Sequence, residues 1–425
     1  MPGGGLIQLV AKGAQDVFLT GKPEITFFKA VYRRHTNFST ESISQTISGD
    51  INDNKTVSCT IGRNGDLISG IHLEFTTTLE TIETEDQKTV ENQLNIMARY
   101  YYQQAIDYVE LEIGGKKIDK HYGHWMDIWW TISNDPMSKS KGSFSDQFNG
   151  RPHYLPLMFW FNRHPGLALP IIALHKHEVK LNIKFNGGST EANWSTADNK
   201  GTSLSSRQYY KGMSLINSAR VWVDYIYLDK DERERFIRNS QDYLIDQVQY
   251  LESPIKSSSP APTSASASMY FKHPVKELIW IVKDEDGYPT YEHDKIKLTL
   301  NNSDRFSERS SEYFTVLQPY YYHTTLIASG NQYGIHVYSF ALKPEEMQPS
   351  GSCNFSRIQD SKLIIGTLNP NQSNVNTNGD LNLWENGATG SWSTPASSGG
   401  MIQIYATNYN ILTIRDGLAG LQYSD

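Results

Sequence analysis

The stretch Leu155–Ile183 (LPLMFWFNRHPGLALPIIALHKHEVKLNI) constrains the fold most. A proline inside a helix removes a backbone donor and clashes with the preceding turn. Pro156, Pro165 and Pro170 therefore leave no room here for ten or more residues of helical periodicity. What fits is short extended pieces: an apolar and aromatic run at Leu157–Phe161, a Pro-Gly turn at Pro165–Gly166, and a second apolar run at Leu167–Leu174. Beyond Glu178, Val179, Leu181, Ile183 and Phe185 alternate with Lys180, Asn182 and Lys184. That is the period of a half-buried strand. The whole stretch is expected to be strands and turns.

The chain then repeats itself. Ile335–Ile365 again runs from an apolar-aromatic strand through a Pro/Gly loop to a closing strand. Val109, Leu111 and Ile113 alternate with Glu110 and Glu112, and Ile296, Leu298 and Leu300 do the same with Lys297 and Thr299, an offset of 296 − 109 = 187. VWVDYIYL (Val221–Leu228) matches IQIYATNY (Ile402–Tyr409) at 402 − 221 = 181. Three echoes in one order at nearly one offset imply two copies of one all-β domain. A length of 425 residues gives each copy enough chain for its own core. The aromatic share of 12%, with 25 Tyr, suits half-buried β surfaces.

The segments between these echoes are read in chain order. Residues 1–26 are an arm with too little pattern to fold alone; Leu6–Phe18 has helical amphipathicity, interrupted by Gly13. The arm leads into ITFFKAVYRRHTNFSTESI (Ile25–Ile43), where Phe27, Phe28, Tyr32, Arg33 and Arg34 form a structural or interface cluster. Val109–Ile118 reads as a hairpin turning on Gly114-Gly115. Trp125, Trp129 and Trp130 fit a short helix with its Trp face inward. DKDERERFIRN (Asp229–Asn239) is a charged helical turn or two and marks the domain boundary, so 27–229 and 243–425 are the two copies and 230–242 the linker. The Pro/Ser/Ala segment Ser253–Ser268 is not expected to build a core. Polar loops are expected at Phe75–Tyr100, 186–215 and Gly366–Gly400.

Catalytic and metal chemistry find little support. There is no G-x-S-x-G, phosphate loop or dinucleotide fingerprint. His121/His124 and His175/His177 are spaced to share a face, but spacing brings no third ligand to either pair. Neither a catalytic residue, a cofactor nor a metal site is expected. A net charge of −7 argues against a broad nucleic-acid surface. Cys59 and Cys353, one in each copy, make no disulfide framework and fit a reducing compartment. No run approaches the roughly 20 apolar residues of a spanning helix. The N-terminus lacks the basic lead and apolar core of a signal peptide, which points to synthesis in a cytosol-like compartment.

GGLIQLVAKGAQDVFLTGKPEITFFKAVYRRHTNFSTESI resembles the N-terminus of the major capsid proteins of nucleocytoplasmic large double-stranded DNA viruses, above all those of chlorovirus type. The resemblance continues through RNGDLI (Arg63–Ile68), VELEIGGKKIDKHY (Val109–Tyr122), PGLALPIIALHKHEVKL (Pro165–Leu181) and VWVDYIYLD (Val221–Asp229). It extends to FALKPEEMQPSGSCNFSRI (Phe340–Ile358) and YATNYNILTIRDGLAGL (Tyr405–Leu421), nearly the whole chain.

The resemblance implies two tandem eight-stranded antiparallel jelly-roll sandwiches, a double jelly roll, behind a short N-terminal arm. It implies a structural capsid protein whose homotrimer makes a pseudo-hexagonal capsomer in an icosahedral shell. Expected partners are further capsomers, with minor capsid proteins and the inner viral membrane at the base, and no direct nucleic acid. The Phe27–Arg34 cluster is expected at trimer or base contacts. Outer loops carrying Trp384 and Trp392 would offer any host-surface contact, and assembly is expected in the host cytoplasm. Close alternatives are a minor capsid paralogue and a glycan-binding jelly-roll attachment protein; a β-sandwich hydrolase ranks last. Six N-x-S/T sequons occur, at Asn37, Asn54, Asn193, Asn301, Asn354 and Asn371. Chloroviral relatives are glycosylated outside such sequons, and Asn386 is the nearest counterpart by position, so Asn386, Asn371 and Asn301 are the glycan candidates.

Overall fold

The structure is a computed structural model. It describes residues 4–51, 55–76, 106–133, 152–185, 218–255, 264–283, 289–290, 295–324, 334–366 and 400–423. The chain divides into two units, Met1–Asn37 and Phe38–Asp425. In the first, α1 (Gly4–Val10) and α2 (Asp16–Thr20) replace the single helix that amphipathicity predicted. The break falls at Gly13, whose N–H donates to the Asp16 carboxylate at 2.7 Å instead of continuing α1.

The second unit is all-β among the described residues. Its first sandwich uses β1 (Phe38–Gln45), β2 (Thr56–Thr60), β3 (Leu67–Thr76), β4 (Ile106–Ile113), β5 (Lys116–Tyr122), β6 (Pro152–Pro156), β7 (Val179–Phe185) and β8 (Ser218–Leu228). Two antiparallel sheets result, in the orders β1-β8-β3-β6 and β2-β7-β4-β5. The β4–β5 hairpin turns on Gly114 and Gly115 at φ 60° and 79°, the left-handed pair a two-residue turn needs. Helix α3 (Gly123–Ser133) follows β5 and buries Trp125 and Trp129 as expected.

The second sandwich uses β9 (Gln241–Pro254), β10 (Ser264–Ser268), β11 (Pro274–Lys283), β13 (Lys295–Leu300), β14 (Ser303–Arg309), β15 (His336–Ser339), β17 (Ser361–Gly366) and β18 (Met401–Arg415). Short additions are β12 (Pro289–Thr290), β16 (Cys353–Asn354) and β19 (Leu418–Leu421). Its sheets run β9-β18-β11-β15 and β10-β17-β13-β14. Replacing β1, β8, β3, β6 by β9, β18, β11, β15, and β2, β7, β4, β5 by β10, β17, β13, β14, turns one order into the other. This is the jelly-roll order made twice. The echoes seen in sequence are equivalent strands: β4 with β13, β7 with β17, β8 with β18.

Two local expectations fail. Leu157–Phe161 and Leu167–Leu174 are not strands. They form a one-turn helix α4 (Trp160–Arg163) and 3-10 turns at Pro165–Leu167 and Ile171–Ala173. Pro165 and Pro170 offer no ladder donor, and Asn162 ties the turn down by donating to the Ile71 and Leu157 carbonyls at 3.0 and 2.6 Å. Conversely, Ser264–Ser268 does join a core. It pairs with β17 as β10, and Ala267 is fully buried. Two alanines on alternate positions give a strand enough apolar face when the ladder supplies the rest.

The sandwiches are not independent. One core fills the second sandwich, with Leu278, Trp280, Val282, Ile402, Ile404 and Ala406 pointing into it. The intervening residues Ile279, Ile281 and Tyr405 point the other way and join the core of the first sandwich. Val275–Val282 and Ile402–Asn410 are consequently buried without interruption, the signature of strands covered on both faces. The first sandwich provides the cover. Trp125 of α3 lies 5.3 Å from the Tyr405 ring and Tyr122 of β5 lies 4.5 Å from Tyr250.

Charges are buried at this junction in compensated sets. Lys276 Nζ lies 2.7 Å from Asp246 Oδ2, which Arg163 of the first sandwich also reaches at 3.2 Å. Next to Lys276, Glu277 accepts from Thr407 at 3.2 Å and meets His323 Nε2 at 3.1 Å, an ion-pair contact off the ideal hydrogen-bond line. His323 Nδ1 reaches Glu345 at 2.9 Å. Thr324 Oγ1 sits 2.8 Å from Glu345 and 3.0 Å from the Ser133 carbonyl at the end of α3. Burial opposes charge on His323, but Glu277 and Glu345 outweigh it and lift the imidazolium from 6.5 to about 9. Burial likewise opposes charge on Glu277, and His323 with Lys276 outweighs it and lowers the carboxyl.

A histidine whose folded pKa is raised contributes stability that is complete below its unfolded value of 6.5 and lost as pH rises through about 9. Thermal unfolding followed from pH 6.5 to 9.5 is expected to show a falling midpoint. In His323→Gln that pH-dependent part should vanish, with a lower midpoint throughout because Glu277 loses its partner, a loss of about 3 kcal/mol or more.

Candidate assembly surfaces

Among the described residues no three His, Cys, Asp or Glu side chains converge as metal ligands would. Of the two histidine pairs, His121, His175 and His177 serve packing, and His124 is exposed. His121 Nε2 lies 2.8 Å from the buried Asp119 carboxylate and its ring stacks on Phe159 at 4.6 Å. Asp119 also accepts from the Val248 N–H of β9 at 3.1 Å, so this pair helps join the sandwiches. His175 packs on the β18–β19 turn, where Gly417 has φ 85° and a Cβ would run into the imidazole. Lys176 N–H donates to the Gly417 carbonyl at 3.1 Å, and His177 Nδ1 accepts from the Ala419 N–H at 3.1 Å. Gly114 leaves room for the His177 ring on its other side. The H-x-H spacing therefore sends two imidazoles from one loop into the turn of the other sandwich.

Both cysteines are free. Cys59 is fully buried, and burial pushes its thiol up to about 11; Cys353 is part-buried, and burial raises it too. Neither has the thiolate character a nucleophile needs.

The larger feature is apolar surface left bare. In the first unit Leu6, Ile7 and Val10 of α1 are exposed, and so are Phe27 (89%), Phe28 (97%) and Tyr32 (90%). Arg33 and Arg34 beside them are exposed as well. In the second unit a further bare patch was not anticipated: Val316, Leu317, Tyr320 and Tyr321. They lie on a π-helical turn (Tyr313–Leu317) continuing into α5 (Gln318–Tyr322). The run VLQPYYY carried the signal, since three consecutive tyrosines cannot all face a core. The buried charges of the junction were equally unread, though Lys276-Glu277 interrupting PVKELIWIVK marks them. Of the glycan candidates, Asn301 sits at the β13–β14 turn with φ 49°, and its amide oxygen accepts from the Gln359 and Asp360 N–H groups at 2.9 and 3.3 Å. Asn371, Asn386, Trp384 and Trp392 lie outside the described residues.

Exposed apolar patches of this kind mark sites of contact with other molecules. Comparison with known proteins agrees. The model of the major capsid protein N-terminus matches residues 26–229, and that of the large eukaryotic DNA virus major capsid protein matches residues 232–420. The major capsid protein of Pyramimonas orientalis virus is 40% identical, with 100% of both chains covered. That of Paramecium bursaria Chlorella virus 1 is 37% identical over 99% of this chain and 100% of its own. Among solved structures, a chain of the PBCV-1 virus capsid superposes with a TM-score of 0.72 at 32% identity, covering 94% of this chain and 100% of that one. The Faustovirus major capsid protein shares the fold with a TM-score of 0.63 at 11% identity, over 96% of each chain. The chain belongs to the major capsid proteins of large eukaryotic DNA viruses, structural proteins of the virion capsid and not enzymes.

Proposed function

We propose that three copies of this chain associate into a capsomer of six jelly rolls, a pseudo-hexagonal unit that tiles an icosahedral shell. The observation that carries this reading is the repeated strand order of two sandwiches locked side by side by one sheet buried on both faces. Two like blocks per chain make a trimer approximate sixfold symmetry, which suits close packing on a flat facet. Within the bounds 27–229 and 243–425 expected from the sequence, the strands from Phe38 to Leu228 and from Gln241 to Leu421 act as the two blocks, and the stretch between Leu228 and Gln241 as the link. In that link Lys230–Arg238 is helical, and the Asp229 side chain accepts from the Lys230 N–H at 2.8 Å at its start.

The segment before Phe38 serves contacts rather than the fold of the sandwiches. Leu6, Ile7, Phe27, Phe28 and Tyr32 are apolar side chains left in water, with Arg33 and Arg34 to fix orientation through charge-assisted hydrogen bonds. Burying each aromatic is worth roughly 1.5–3 kcal/mol. Their partners are neighbouring subunits and the base of the shell, where minor capsid proteins and the inner viral membrane lie. Assembly takes place in the host cytoplasm.

Light scattering after size exclusion tests the trimer. A mass near 3 × 48.2 = 144.6 kDa that resists dilution is expected, and a stable 48.2 kDa monomer would contradict the reading. Removing residues 1–24 is expected to leave the sandwiches folded, with an unchanged far-UV spectrum, while impairing trimers or shells. Normal trimers and shells from the truncated chain would remove the arm from assembly.

A further inference from the structure

The internal repeat leaves two equivalent surfaces unequally satisfied. In the first sandwich the helix after the fifth strand, α3, buries Trp125, Met126, Ile128, Trp129 and Ile132 and leaves Trp130 part-buried. Part of that burial is against the outer face of the β9-β18-β11-β15 sheet, where Trp125 meets Tyr405. In the second sandwich the equivalent helical segment, Tyr313–Tyr322, follows the equivalent strand β14. Its inner side is satisfied, since Phe314, Thr315 and Gln318 are buried. Its outer side is not: Val316 is 52% exposed, Tyr320 62% and Tyr321 64%.

The sheet that this helix would cover by analogy is β1-β8-β3-β6, and the ladders identify its outer face residue by residue. Tyr405 pairs with Ile279 and Tyr250; at the equivalent place Asp224 pairs with Gly70 and Ser42. Gln403 pairs with Ile281 and Glu252; at the equivalent place Trp222 pairs with His72 and Ser44. Gln403, Tyr405, Ile279 and Ile281 are all buried beneath the first sandwich. Trp222, His72 and Asp224 are only half-buried, and Ser42 and Ser44 are exposed. The face is nonetheless ordered for contact. His72 stacks parallel to Trp222 at 6.3 Å, Tyr154 meets His72 edge-on at 6.0 Å, and the Trp222 indole N–H donates to Glu74. Such an aromatic platform with a fixed polar frame resembles the centre of a protein interface.

We infer that the Val316–Tyr321 helix face of one copy docks on the Trp222–His72 face of the β1-β8-β3-β6 sheet of the next, repeating between chains the packing that α3 makes within one. The occupant is a second copy of this chain because, among the described residues, each copy carries both the exposed helix face at Val316–Tyr321 and the half-buried sheet face at Trp222 and His72, and the chain itself shows how the equivalent pair fits. Each interface uses two different patches, so it is head-to-tail, and such an interface closes into a ring when its rotation permits. The inference rests on the capsomer reading and supplies the contact it leaves unspecified.

The test places the photo-crosslinking residue p-benzoylphenylalanine at Tyr320 in the full chain and maps products by mass spectrometry, with half the copies isotope-labelled. Crosslinks between copies to peptides spanning Phe38–Gln45, Leu67–Thr76 or Ser218–Leu228 are expected. The double substitution Val316→Glu, Tyr320→Glu, at two exposed positions, is expected to reduce the mass from 144.6 kDa (3 × 48.2) to 48.2 kDa without changing the far-UV spectrum. Leu342→Glu, equally exposed but on another loop, should leave the mass unchanged. Crosslinks elsewhere on a trimer, or a double variant that still forms trimers, would overturn this contact while sparing the capsomer. A wild-type chain that never trimerises would overturn both.

Discussion

The structure depends on one sheet with no free face. β11 and β18 bury alternate residues in two different hydrophobic cores, so the core of the first sandwich is completed by residues of the second. In an ordinary jelly roll one face of each sheet meets water, and the strands alternate accordingly. Here water is excluded from both sides of β11 and of most of β18, and the apolar burial of the first sandwich extends through Tyr405, Ile279 and Ile281 into the second. A rigid pair of blocks follows from this, because rotating one block against the other would expose that face.

The buried charges sharpen the same junction. Asp246 is shared by Lys276 and by Arg163 from the other sandwich, while Glu277, His323 and Glu345 form a second set beside α3. Such ions contribute little net stability compared with apolar replacements, but removing one partner leaves a costly orphan. Their effect here is on register: an apolar face tolerates sliding, whereas Arg163 of the first sandwich must stand opposite Asp246 of the second. The His175 and His177 rings act similarly, each seated where a glycine leaves space for it.

Much of this was legible in the sequence, for identifiable reasons. Strand periodicity survives in Val179–Phe185 and in the β4/β13 echo because those strands have one face in a core, whereas β18 echoes β8 with both of its faces buried. The Gly114-Gly115 hairpin and the Trp-lined helix were readable because their chemistry is local. Reading failed where long-range packing decides. Leu157–Phe161 is apolar because it turns within the core of the first sandwich, not because it is extended, and Ser264–Ser268 joins a core with little more than two alanines. No local pattern announces that Glu277 will meet His323, 46 positions away by subtraction. The aromatic-basic cluster at Phe27–Arg34 was legible as a cluster because its residues are adjacent in sequence, while the Val316–Tyr321 patch was legible only as the run VLQPYYY and shows its exposed face in the fold.

Hydrogen exchange of the isolated protomer, resolved by peptide, tests most directly whether the shared sheet makes one body of two sandwiches. The account predicts that β11 and β18 amides exchange slowest, in the same cooperative step as β3 and β7 of the first sandwich. Exchange of the second sandwich as a separate unit, with β11 and β18 opening while β3 and β7 stay protected, would contradict it.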